Sequence, residues 1–133
     1  MNTQTQPQNQ LKELLRKLYE RAREVGRKKK LSVNEVISVA LFDAAYYRYD
    51  RELLKIAKLV DEVNLLMNKI YKEEVYYRYD PYYEKYILPF FDRYNYDPIA
   101  VSYHVVWFFS GNTVVVKVYG DRGRKVAVET ISF

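Results

Sequence analysis

Apolar residues recur along this chain with three periods. Leu11, Leu14, Leu15, Leu18, Ala22 and Val25 fall three and four apart, predicting an amphipathic helix over about 9–25 with Gly26 as its stop. Val39, Phe42, Tyr46, Tyr49, Leu53, Ile56, Val60, Val63, Met67 and Ile70 alternate steps of three and four, the 3.5-residue period of a coiled-coil seam. From Ile99 onward, β-branched and aromatic residues fill three stretches, 99–110, 113–120 and 124–132, which read as strands.

Boundaries follow from capping chemistry. Ser32 and Glu35 form an S-x-x-E capping box, with Leu31 and Val36 placed for a hydrophobic staple, so a second helix starts at Val33. Its end is open to two readings, because no Gly or Pro stands between Lys28 and Asp80. One is a single helix over 33–77. The other is two helices, 33–48 and 51–77, with Asp50 capping the second from Arg51; the usual lengths of globular helices favour this break. Asp80-Pro81 then begins a further helix over 81–94, interrupted by Pro89. Residues 1–8 are Gln/Asn/Thr-rich and read as a disordered tail, leaving 9–133 as one domain. Helices first and antiparallel sheet last make the fold class α+β, with a C-terminal three-stranded meander.

Turn chemistry sets the expected register of that meander. Taking Gly111-Asn112 as a two-residue loop pairs Phe109 with Val114, Trp107 with Val116 and Val105 with Val118. A three-residue loop Asp121-Arg122-Gly123 then pairs Val118 with Val126, Val116 with Val128 and Val114 with Thr130. Together these put Val101, Tyr103, Val105, Trp107, Phe109, Val114, Val116, Val118, Val126 and Val128 on one face. The opposite face, with His104, Val106, Phe108, Lys117 and Glu129 among others, is mixed and free to be a surface.

Composition narrows the chemistry. The 133 residues include no cysteine and one histidine, which removes disulfides, thiolate nucleophiles and most metal-site patterns, so neither a metal nor a cofactor is expected. His104 falls in a strand beside Tyr119 with no carboxylate or serine in prospect. Asp80, Glu84, Asp92 and Asp97 lie close in sequence but read as caps and solvated turns. No P-loop, dinucleotide, zinc-protease or serine-elbow fingerprint occurs, and the chain is not expected to be an enzyme. A polar start and the lack of a long apolar run point to a cytoplasmic protein without membrane contact. Fifteen tyrosines, twelve between Tyr46 and Tyr96, with abundant Val, Lys, Arg and Glu, resemble in composition the small proteins of hyperthermophilic archaea, their viruses and plasmids. Tyrosines at helical spacing read mainly as core residues, although such rings also stack on single-stranded bases. The pentapeptide Tyr46-Tyr47-Arg48-Tyr49-Asp50 recurs as Tyr76-Tyr77-Arg78-Tyr79-Asp80.

Charge is concentrated at one end. Residues 1–30 hold nine Lys/Arg against three Glu, an excess larger than the whole chain's net +5, so everything later is slightly acidic. Lys12, Arg16, Tyr19, Arg23 and Arg27 form one line on the first helix, followed by the basic run Arg27, Lys28, Lys29 and Lys30. Such a line can neutralise successive phosphates, with counterion release making binding favourable and salt-sensitive. A bland alternative is a solvated helix face laced with pairs such as Glu13 with Lys17. Arg122, Arg124 and Lys125, at the tip of the last hairpin, form a possible second phosphate contact, though turns are polar wherever they occur. Over residues 12–48, the helix, Gly26, basic linker and capped Ser32-Val33-Asn34-Glu35 helix resemble the two-helix part of ribbon-helix-helix proteins. That resemblance implies DNA binding, but the family's reading strand has no counterpart in the Gln/Asn-rich start, and no DNA-reading residue carries over. The function expected is therefore a small nucleic-acid-binding protein, dimeric, that grips phosphate through residues 12–30. Its rival is a protein-interaction or structural protein, such as a viral virion or antidefence component, that uses the 3.5-period stripe and the tyrosines as partner surfaces.

Overall fold

A computed structural model describes residues 6–71, 77–81, 104–119 and 125–133. The elements run α1 (Gln6–Lys29), α2 (Val33–Tyr46), α3 (Arg51–Tyr71), β1 (Tyr77–Tyr79), β2 (His104–Ser110), β3 (Thr113–Tyr119) and β4 (Lys125–Ser132). The class is α+β, helices preceding sheet. The chain clusters into two compact units, Met1–Tyr71 with Phe133, and Lys72–Ser132. Among the described residues no helix is long and apolar enough to cross a membrane.

In the helical unit each helix packs on the other two. Leu11, Leu15, Leu18, Ala22 and Val25 of α1, Val36, Ile37 and Ala40 of α2, and Leu53, Ile56, Val60, Val63 and Met67 of α3 are all buried. Side chains at three- and four-residue spacing stack over successive turns of one helix face, so each helix offers an apolar stripe and three stripes close a core. The predicted break between α2 and α3 is present. Asp50 caps α3, its Oδ1 accepting from the backbone N–H of Glu52 at 2.9 Å and of Leu53 at 3.1 Å. Asp43 Oδ2 in turn accepts from the Asp50 N–H at 3.3 Å, tying the end of α2 to that cap.

The capping box at the start of α2 is also formed. Ser32 Oγ accepts from the Glu35 N–H at 3.2 Å, and Glu35 Oε1 accepts from the Ser32 N–H at 3.0 Å. Hydrogen bonding from Ser32 to the ionised carboxylate, from its backbone N–H first and its hydroxyl second, holds Glu35 below the usual carboxylate range.

Helix α1 differs from expectation at both ends. It starts at Gln6, inside the stretch read as a tail, and it passes through Gly26 to Lys29. Gly26 serves close approach rather than termination. A Cβ there would run into the Leu31 carbonyl oxygen, because the chain folds back so that the Leu31 N–H reaches the Gly26 carbonyl at 2.9 Å. This is the long bond of a Schellman motif, and Lys30 takes its left-handed position with φ 59°. Arg48 ends α2 similarly, at φ 57°, with its N–H bonded to the Asp43 carbonyl. Both helices thus stop on a basic residue where glycine is usual, which is why composition hides the ends.

The sheet unit has four strands in the order β1-β2-β3-β4, one more than the predicted meander. β1 lies parallel to β2, pairing Tyr77 with Val105, Arg78 with Val106 and Tyr79 with Trp107. Its first residue, Tyr77, is the last residue of the helix expected over 51–77, of which α3 is described over Arg51–Tyr71. Alternating Tyr-Arg-Tyr suits a strand, the Asp80 N–H extends the ladder to the Trp107 carbonyl at 3.0 Å, and the Tyr79 ring packs edge-on to Trp107 at 5.1 Å. The helix predicted over 81–94 lies, after Pro81, outside the described residues, as do residues 99–103 of the first predicted strand and the loop 121–123.

The first hairpin register is as predicted: Phe109 opposes Val114, Trp107 opposes Val116 and Val105 opposes Val118. Gly111, at φ 59°, supplies the positive φ that the tight loop requires at its first position. The second hairpin is one residue out. A register shift between Val118 and Tyr119 leaves Tyr119 opposite Lys125 but puts Val118 opposite Ala127, Val116 opposite Glu129 and Val114 opposite Ile131. A one-residue slip reverses every side chain beyond it. Ile131 is buried, while Val128 leaves the predicted apolar face and is 53% exposed. The core of this unit is Val105, Trp107, Phe109, Val114, Val116 and Ile131; Val106, on the face read as a free surface, is buried too.

Candidate nucleic-acid interface

Helix α1 turns about 100° per residue, so its residues sort by angle. The buried line Leu11, Leu15, Leu18, Ala22 and Val25 defines the inward direction. Lys12, Arg16, Tyr19, Arg23 and Arg27 share one flank, within an arc of about 80°. Arg16, Arg23 and Arg27 are exposed and Lys12 and Tyr19 half-buried. No carboxylate falls inside that arc.

The other flank has a different character. Lys17, Glu20, Arg21 and Glu24 line a cleft with Glu52 and Ile56 of α3, and Glu13 lines a second cleft with Lys17 and with Glu62 and Lys69 of α3, so the α1 acids are interleaved with bases along clefts shared with α3. Lys28 belongs to this flank as well. Its Nζ lies 4.0 Å from Glu52 Oε1, a contact between two well-exposed groups that screening leaves weak. Lys12, Arg16, Arg23, Arg27, Lys29 and Lys30 make no ion pair with any described residue. Lys29 and Lys30 are exposed at the end of α1, where cations also suit the helix dipole. Of the residues singled out in the sequence, this structure therefore groups Lys12, Arg16, Arg23 and Arg27 on one line, places Lys29 and Lys30 beyond its end, and separates Lys28.

The hairpin tip is not part of this picture. Arg122 and Arg124 lie outside the described residues, and Lys125 is described only as the first residue of β4, opposite Tyr119.

The 3.5-period stripe divides in two. Its α3 positions, Leu53, Ile56, Val60, Val63 and Met67, are buried within the chain. Its first positions are turned outward: Val39 is 42% exposed, Phe42 55%, Tyr46 72% and Tyr49 84%. Helix α2 buries Val36, Ile37 and Ala40 instead, so its inward face is set by small and β-branched residues rather than by the aromatics. The exposed rings form a cluster. Phe42 lies 4.8 Å from Tyr46 and 5.8 Å from Tyr47, and Tyr47 stacks on Tyr49 at 5.9 Å with 26° between planes. The sequence signal for this cluster is the first copy of the repeated pentapeptide, whose second copy, in β1, has Tyr79 buried.

Among the described residues no three His, Asp or Glu side chains gather as a metal site. No protein-family model matches this chain, nor does any curated protein or solved structure.

Proposed function

We propose that this protein binds nucleic acid by gripping the phosphate backbone along α1. The observation that carries the reading is the segregation of charge on that helix: its acids are interleaved with bases on the flank toward α3, while Lys12, Arg16, Arg23 and Arg27 line the other flank unpaired with any described residue. Glu13, Glu20 and Glu24 stand three or four residues from Arg16, Arg23 and Arg27, yet none of them forms an ion pair with these cations. The cationic row extends over about 22 Å of helix, at 1.5 Å per residue from Lys12 to Arg27, and continues into Lys29 and Lys30. A surface of this kind attracts a polyanion by releasing its condensed counterions, and it reads no base sequence.

The test is fluorescence anisotropy of labelled DNA and RNA, titrated at several salt concentrations, with a variant in which Arg27, Lys28, Lys29 and Lys30 are alanine. The expected result is binding that weakens steeply with salt and is reduced in the variant. No binding even at low salt removes the proposal.

A further inference from the structure

Resting on that reading, we infer that the cluster Phe42, Tyr46, Tyr47 and Tyr49 is a base-stacking platform, and that the nucleic acid this protein takes is single-stranded. These four rings are each more than half exposed and already lie in ring contact with one another. Their π faces suit unstacked bases, which every single strand offers and a duplex does not.

Charge around the rings is arranged for the same partner. Arg48 sits between Tyr47 and Tyr49, held in the left-handed region with its Nε bonded to the Ala44 carbonyl at 3.1 Å, and the exposed Arg51 follows. Of the carboxylates nearest the rings in sequence, Asp43 holds the Asp50 N–H, Asp50 caps α3, and the exposed Glu52 lies 4.0 Å from Lys28 Nζ. A strand passing over the rings therefore meets the Arg48 and Arg51 guanidinium groups, with Asp43 and Asp50 turned to backbone N–H groups.

A second copy of the chain is the competing occupant. The exposed fractions of the four aromatics, at roughly 200 Å² for a full ring side chain, leave on the order of 500 Å², against about 800 Å² from each partner of a stable interface. A second copy would therefore have to bury the charged rim of Arg48 and Arg51 with the rings, whereas a single strand carries phosphates that pair with it.

The experiment compares binding of a labelled oligothymidylate with a duplex of equal length, using Tyr46→Ala/Tyr49→Ala, Tyr46→Phe/Tyr49→Phe and the basic-line variant Arg16→Gln/Arg23→Gln. Expected is tighter binding of the single strand by the native protein, and about 5- to 100-fold weaker single-strand binding by the alanine variant, the range for loss of one stacked base. Duplex affinity and salt dependence stay unchanged in that variant, and the phenylalanine variant keeps native single-strand affinity. Unaltered single-strand binding in the alanine variant overturns the platform while leaving the phosphate reading in place; absence of any binding by the native protein removes both. Sedimentation gives a third outcome: a native dimer made monomeric by Tyr46→Ala/Tyr49→Ala, with nucleic-acid affinity unchanged, identifies the patch as a contact between copies and overturns the inference.

Discussion

Charge segregation on α1 makes a quantitative prediction for Arg16→Gln/Arg23→Gln. Both arginines are exposed, unpaired with described residues and in mid-helix, and glutamine has nearly the helix propensity of arginine, so the fold should be unperturbed. If Lys12, Arg16, Arg23, Arg27, Lys29 and Lys30 each neutralise one phosphate, the slope of log K against log salt on duplex DNA is about −5.4, at roughly −0.9 per contact. Removing two contacts brings it to about −3.6. Between 50 and 200 mM salt the native protein then loses on the order of 2,000-fold in affinity and the variant on the order of 150-fold. The matched control is Lys17→Gln/Arg21→Gln, which removes the same charge from the acid-bearing flank. Anisotropy titrations of all three proteins at four salt concentrations decide the matter. The reasoning is refuted if the control lowers the slope as much as the test variant, since net charge and not the α1 line would then govern binding. An unchanged slope in Arg16→Gln/Arg23→Gln refutes it equally.

The helix ends and the sheet register give further tests. Lys30→Gly relieves a left-handed lysine and should raise the stability of the helical unit by about 1 kcal/mol, whereas Gly26→Ala, whose Cβ meets the Leu31 carbonyl, should lower it by about 1–2 kcal/mol; urea unfolding followed by far-UV circular dichroism reads both. Asp50→Ala removes the cap of α3 and should cost about 1 kcal/mol in the same assay. Because its bonds to Ser32 hold Glu35 below the usual carboxylate range, its contribution is present above that range and is lost as pH falls through the lowered value; thermal melts of Glu35→Ala should lack this acid-side component. In the sheet, Ile131→Thr should destabilise by about 1–2 kcal/mol and Val128→Thr by less than about 0.5 kcal/mol, an order that the unshifted register would reverse.

What the chain's pattern disclosed, and what it hid, follows from the range of the interactions involved. The capping box at Ser32, the Asp50 cap and the first hairpin are each settled by residues within a few positions of one another, and all three are where local chemistry puts them. The end of α1 was hidden because the usual punctuation is absent: Gly26 looks like a stop but serves a close backbone approach, and the left-handed position falls to Lys30. The second hairpin escaped for a different reason. Its loop chemistry is compatible with more than one pairing, and the observed shift buries Ile131 in place of Thr130, a gain decided at the far end of the strand. On the candidate interface, the cations of α1 were legible because their helix is unambiguous and its spacing fixes their angle. Their segregation from the acids became visible only when the flank of Glu20 and Glu24 was seen to line the cleft with α3.

The repeated pentapeptide shows most directly why the aromatic cluster was not legible. Tyr-Tyr-Arg-Tyr-Asp ends α2 in its first copy, with three exposed tyrosines, a left-handed arginine and an aspartate that caps the next helix. Its second copy runs through β1, with Tyr79 against Trp107 and a buried Asp80 whose N–H joins the ladder of β2. Tyr49 and Tyr79 therefore have opposite fates, one exposed beyond the end of α2 and the other buried in a strand beside β2. Tyrosine tolerates both because its ring is apolar enough to bury and its hydroxyl polar enough to face water. Periodicity assigned Phe42, Tyr46 and Tyr49 to a seam shared with α3, but the turn at Tyr47–Asp50 reorients the chain. A stripe that continues in sequence across that turn is thereby split between an internal core and an outward face. The outward half is left largely exposed, Tyr49 by 84%. On the proposed reading, rings beside Arg48 and Arg51 would serve a single strand with π face and guanidinium together.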